Sequence, residues 1–268
     1  MKTIGATIPI GVGDAIYIKA MLDAVKDNYS KISLKFHREI IQFYNLDEKY
    51  NLFLDDIGKL FFSEPPYMID QESFDFEGIV DLCQKNNLQP VKPKLNHLLC
   101  KGNPLILDQE YVVLITKVRY MPRGEINARI PELTKLINDL SNKYKIVILG
   151  EKITEMNIGY KDLDINNIYQ DYINNISNNV LDLTLPALGI TSPNLIQLQQ
   201  DCLIMSGAKL IITMGVGGGL SMATAVGNVV GYRVDNDPIA NTVFKREYPD
   251  CIITKNWGHF LNSVRKYL

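Results

Sequence analysis

Charge of one sign, spaced metal ligands and long apolar runs are all missing from this chain, and each absence removes a class of function. Lys and Arg number 28 against 30 Asp and Glu, a formal net charge of −2. That balance lacks the basic excess a phosphate-tracking surface needs, so no nucleic-acid partner is expected. Only four cysteines occur, Cys83, Cys100, Cys202 and Cys251, with no CxxC and no Cys/His spacing that suits zinc. No bound metal is expected, and the thiols read as reduced packing residues of a cytoplasmic protein. The three histidines, His37, His97 and His259, form no spaced constellation and read as structural or surface residues. No stretch nears the roughly 18 apolar residues of a spanning helix, so no transmembrane segment is expected. The apolar run in "MKTIGATIPIG" is also too short for a signal peptide. What the chain does have is 268 residues that are 46% hydrophobic and 22% charged, enough to bury one large core or two modest ones.

Short β-branched runs alternate with helical patterns, the signature of parallel α/β architecture. In the N-terminal half "ISLKF" (32–36) reads as a strand, and "REIIQFY" (38–44) and "FEGIVDLCQKNN" (76–87) read as helices. The pattern breaks at Gly102, Asn103 and Pro104. A more regular series then starts, with "YVVLIT" (111–116) as strand, "PELTKLINDLSNKY" (131–144) as helix and "KIVILG" (145–150) as strand. Leu133, Leu136, Ile137 and Leu140 stand at i, i+3, i+4 and i+7, which predicts one buried helix face. After an Asn-rich stretch (157–179) come helix 194–207, strand 208–214, a glycine-rich turn, the small-residue helix 220–227 and strand 229–234. Two Rossmann-like domains are expected, 1–105 and 106–268. The last stretch, "NWGHFLNSVRKYL", has Trp257, Phe260, Leu261 and Val264 at helical spacing and reads as a docking helix.

Two strand-to-helix turns have the composition that chemistry needs. In "TIPIGVGDAIYIKAML" (7–22) the glycines Gly11 and Gly13 allow a tight turn, and Asp14 precedes the helical pattern. Asp14 suits either of two roles: a cap on the first amides of a helix, or a general base at the carboxyl end of a strand. The turn is no dinucleotide fingerprint, because Ile16 stands where GxGxxG requires a small residue. In "TMGVGGGLSMATAVG" (213–227) the glycines Gly215, Gly217, Gly218 and Gly219 lie between a strand and a small-residue helix. Exposed amides and the helix dipole there suit a diphosphate, with Ser221 adding a hydroxyl. No Walker lysine follows, so a P-loop kinase or ATPase is not expected. Lys117, Arg119 and Arg123 in "ITKVRYMPRGE" (115–125) form a basic loop that could neutralise phosphate oxygens or simply be solvated.

The order of these features resembles the heptosyltransferase-type glycosyltransferases, relatives of the lipopolysaccharide ADP-heptose transferases. "IPIGVGDAIYIKAMLDAVK" is similar to the Gly-Asp turn and helix that open that family, and "AKLIITMGVGGGLSMATAVGNVVGYR" to its diphosphate loop, helix and next strand. The resemblance spans residues 4–30 and 111–245. It implies an α/β, GT-B-like fold in which two Rossmann-like domains face across a cleft, with the terminal helix packing back on the first domain.

The resemblance also implies a metal-independent transfer of a sugar from a nucleoside diphosphate sugar to a glycan or small hydroxyl acceptor. No cofactor is implied beyond the donor itself. Asp14 falls at the family's catalytic base and Lys117 near its phosphate-binding lysine, with Arg119 beside it. Gly217, Gly218, Gly219 and Ser221 fall on the donor-diphosphate turn, and Glu151 lies where family members contact the nucleotide. A sugar-nucleotide epimerase of the same fold, or a non-catalytic nucleotide- or glycan-binding relative, is the alternative.

Overall fold

A computed structural model describes residues 2–7, 23–24, 26–37, 50–55, 73–74, 85, 87, 107–115, 123–152, 179–186, 195–214, 218–232 and 251–268. The chain divides into two units, Met1–Lys101 with Asp237–Phe244, and Gly102–Asn236 with Lys245–Leu268.

The first unit holds the strands β1 (Lys2–Thr7), β2 (Tyr29–His37), β3 (Tyr50–Asp55) and β4 (Ser73–Phe74). All pair in parallel, in the order β3-β2-β1-β4. β2 contains the expected strand 32–36, while β3 was not anticipated. The helices expected at 38–44 and 76–87 lie outside the described residues, apart from Lys85 and Asn87.

The second unit is built on six parallel strands: β5 (Tyr111–Ile115), β6 (Lys145–Leu149), β8 (Val180–Asp182), β10 (Leu210–Met214), β11 (Val229–Tyr232) and β12 (Cys251–Thr254). Their order is β12-β11-β10-β5-β6-β8. The chain therefore moves outward from β5 in one direction, returns to the other side of β5, and moves outward again. That is the Rossmann strand order, with its reversal point between β5 and β10. A separate short pair joins β7 (Glu151–Lys152) to β9 (Leu185–Pro186).

Strand side chains alternate between faces with a period of two. The even-numbered residues of β5, β6, β10 and β11, such as Leu114, Ile148 and Ile212, form one core with two helices, α1 (Arg123–Ser141) and α4 (Trp257–Tyr267). The odd-numbered face receives α2 (Leu195–Ser206) and α3 (Gly218–Val226). On that face Thr224 of α3 meets Cys251 of β12, with Oγ1 and Sγ 3.7 Å apart. A Cβ added to Gly227 would stand 2.9 Å from Ile211 Cδ1 and 3.2 Å from the Met205 carbonyl oxygen, so α2, α3 and β10 meet closely at this glycine. The unit is thus a sheet covered by helices on both faces.

Two sequence expectations shift. The helix expected at 131–144 begins eight residues earlier, at Arg123, and runs through Pro131. Proline inside a helix removes one amide donor. Here tertiary contacts hold the helix on both sides of it. Arg129 lies over the Trp257 ring at 5.4 Å, and Trp257 Nε1 donates to Glu132 at 2.7 Å. The predicted face is correct: Leu133, Leu136, Ile137 and Leu140 are all buried. Second, the small-residue helix starts at Gly218 rather than Leu220, so Gly218 and Gly219 belong to the helix and not to the turn before it. The terminal stretch that reads as a docking helix has its apolar face in the second unit's own core, where Trp257, Phe260 and Val264 are buried against β10, β11 and β12.

Candidate functional site

In open α/β sheets ligands bind beyond the carboxyl ends of the strands, where the strand order reverses. In the second unit that point is defined by β5 and β10. They pair from Leu210↔Val112 to Thr213↔Ile115, so their carboxyl ends lie side by side. β6 flanks β5 on the other side, pairing Ile115↔Leu149. Three neighbouring strands therefore end together, and the chain leaves each of them toward a residue singled out in the sequence.

Beyond β10 the chain enters α3, whose first turn contains Gly218, Gly219, Leu220 and Ser221. The first four amides of a helix lack intrahelical acceptors, and the helix dipole places partial positive charge there. No acidic residue lies in that turn to neutralise it. Two glycines at the start leave the amides unshielded by side chains, which is the arrangement an anion needs for close approach. Further along, α3 is closed on itself and on the sheet: Thr224 Oγ1 donates back to the Leu220 carbonyl at 2.9 Å, and Leu220 and Ala223 are buried.

Beyond β6 the chain turns at Gly150, whose φ of 127° lies in the region that favours glycine. Glu151 follows directly and opens β7, paired with Leu185. At the end of β8, which borders β6, Asp182 Oδ1 accepts from the Thr184 amide at 2.9 Å and from its hydroxyl at 2.6 Å. This local turn satisfies the carboxylate and orders the strand exit.

Of the residues expected from sequence, Gly218, Gly219 and Ser221 lie in the first turn of α3, and Glu151 lies just past β6. Lys117 and Arg119, two and four residues past the end of β5, lie outside the described residues, as do Gly217 and Asp14. Asp14 follows β1, which occupies the equivalent reversal point of the first sheet, between β2 and β4. Among the described residues no group of three His, Cys, Asp or Glu could hold a metal ion, and no helix is long and apolar enough to cross a membrane.

One polar group at this edge was not singled out in the sequence. Thr213, next to last in β10, is 1% exposed, and its hydroxyl has no hydrogen-bond partner. The signal available beforehand was a hydroxyl in the otherwise apolar run "LIITM".

No protein-family model matches the chain, and no curated protein sequence matches it. Solved structures do. A family 9 glycosyl transferase from Veillonella parvula superposes with a TM-score of 0.58 at 11% identity, covering 100% of this chain and 90% of its own. The ADP-heptose LPS heptosyltransferase II of E. coli superposes with a TM-score of 0.53 at 13% identity, covering 100% of this chain and 98% of its own. An iron-containing dodecameric glycosyltransferase from enterotoxigenic E. coli gives a TM-score of 0.53 at 13% identity, over 95% of this chain and 63% of its own. Identities this low carry a likeness of fold, and the chain is an α/β protein with the GT-B-like fold of the heptosyltransferase-type glycosyltransferases.

Proposed function

We propose that this chain is a glycosyltransferase that moves a sugar from a nucleoside diphosphate sugar to a hydroxyl acceptor without a metal. The observation that carries the reading is the strand order β12-β11-β10-β5-β6-β8. It sets the carboxyl end of β5, after which Lys117 and Arg119 follow in sequence, between that of β10, which leads into α3, and that of β6, which leads to Glu151. A cationic loop next to unshielded helix amides is what a departing diphosphate requires, because negative charge grows on it as the glycosidic bond breaks. The donor class is also supported by the E. coli neighbour, which is named for ADP-heptose.

Each group then has one task. Lys117, Arg119 and the amides of Gly218, Gly219 and Ser221 hold the diphosphate, and Glu151 contacts the nucleoside. Asp14 takes the proton of the acceptor hydroxyl while that oxygen bonds to the anomeric carbon. The bond from that carbon to the diphosphate oxygen breaks, and the nucleoside diphosphate leaves with the electron pair. The acceptor is a glycan or a small hydroxyl compound.

The binding half of this proposal is tested with ADP, GDP, UDP and CDP in a thermal-shift panel, since a ligand that binds only the folded state raises its melting temperature. One of the four is expected to stabilise the wild type. Gly218→Val sets a branched side chain over the amides and should weaken that ligand at least about tenfold, ~1.4 kcal/mol, with the fold kept. Unchanged affinity in the variant would return the glycine turn to a purely structural role.

A further inference from the structure

Thr213 occupies a position that a valine of the same shape would fill without leaving a polar atom unsatisfied. Its hydroxyl is the one buried side-chain polar atom without a partner among the described residues. Such a group is costly, because it has given up water and gained nothing in return.

Its surroundings tie it to one place. Thr213 pairs with Gly231 of β11, and a Cβ on Gly231 would stand 2.8 Å from Thr213 Oγ1. Glycine at 231 is what leaves that flank of the hydroxyl clear. Both residues are next to last in their strands, and both are odd-numbered, on the face covered by α3. Because α3 is the crossover from β10 to β11, its first turn begins over the carboxyl ends of those two strands. The hydroxyl thus lies on the sheet face that α3 covers, one residue from the strand end that leads into that helix.

We infer that Thr213 is a positioning residue of the phosphate site: its hydroxyl takes up its hydrogen bond when a phosphate group occupies the N-terminus of α3, and phosphate binding is tightened by that amount. The inference rests on the proposal that this helix end binds the donor diphosphate. Thr213 acts through the first turn of α3 and does not touch the ligand. The physical basis is linkage: a group unsatisfied in the free state and satisfied in the bound state favours the bound state.

The test is isothermal titration of wild type, Thr213→Val and Thr213→Ser with ADP, GDP, UDP, CDP and inorganic pyrophosphate, together with melting of each ligand-free protein. Ligand-free Thr213→Val should melt at or above wild type, because it loses only an unsatisfied hydroxyl. It should bind pyrophosphate and the preferred nucleotide about tenfold more weakly, while Thr213→Ser, which keeps the hydroxyl, stays within about twofold of wild type. Equal affinity in Thr213→Val would overturn the inference and leave the diphosphate site standing. So would a ligand-free Thr213→Val that is less stable than wild type, or a Thr213→Ser that binds as weakly as the valine. A wild type that binds none of the five ligands would remove the diphosphate reading itself, and this inference with it.

Discussion

Removing the ring of Phe260 tests the way the second unit is closed. Phe260 is 0% exposed and stacks on Trp257, with ring centroids 5.0 Å apart and planes at 25°. It also leans on Tyr232 at 5.8 Å, and Tyr232 meets Trp257 edge-on at 4.8 Å. The three rings join the last residue of β11 to α4. Burial of such a side chain contributes about 1.5–3 kcal/mol, and each aromatic pair about 0.5–1.5 more. With the cavity that truncation leaves, Phe260→Ala should cost about 3–5 kcal/mol. For a unit of this size that is a fall in melting temperature of about 6–20 °C. Urea unfolding followed by tryptophan fluorescence reads this directly, since Trp257 is the only tryptophan in the chain and lies against the lost ring. Leu261→Ala, at a half-buried position of the same helix, should cost about 1 kcal/mol and serves as the control. A loss within about 1 kcal/mol for Phe260→Ala would refute the assignment of α4 to this core.

Two further outcomes follow from single contacts. The Tyr111 hydroxyl donates to the Ile204 carbonyl at 2.7 Å, and burial raises its pKa above the ordinary 10.0. The unfolded tyrosine loses its proton first, so its contribution is full below about pH 10 and is lost as pH rises through the folded value. Tyr111→Phe should therefore cost about 1–3 kcal/mol at pH 7, and stability should fall less steeply above pH 10 than in wild type, as read from urea midpoints across that range. At the start of α4, Asn256 Oδ1 accepts from the His259 amide at 2.9 Å. Asn256→Ala should cost about 1 kcal/mol and Asn256→Asp little, by thermal melting of the two variants.

Periodicity made much of the second unit legible before any coordinates. The spacing of Leu133 to Leu140 and of Trp257 to Val264 identified both buried helix faces on the even-numbered side of the sheet. Period alone says which face is buried and not what covers it. The early start of α1 was illegible for a related reason: Pro131 is a good first residue for a helix, and only the contacts of Arg129 and Glu132 with Trp257 carry the helix back through it. Gly218 and Gly219 read as turn residues because glycine has poor helix propensity, yet they stand in the first turn of α3, where amides have no intrahelical acceptors. β12 is hard to read in sequence because "CIIT" is only four residues long; it is defined by pairing with β11. The site was legible as separate motifs, and the strand order that sets their exits side by side has no sequence signal.

The most direct test of the central claim is transfer itself, compared between wild type and Asp14→Asn. The donor is the sugar conjugate of whichever nucleoside diphosphate stabilises the protein, offered with a panel of glycan and small hydroxyl acceptors, and product is read by mass spectrometry as an acceptor heavier by one sugar. The account predicts such a product from wild type. Asp14→Asn keeps a side-chain acceptor for the helix amides but loses the carboxylate, so it should bind donor within about twofold of wild type and turn over at least about 100-fold more slowly. Transfer by Asp14→Asn at the wild-type rate would contradict the account and leave Asp14 as a helix cap.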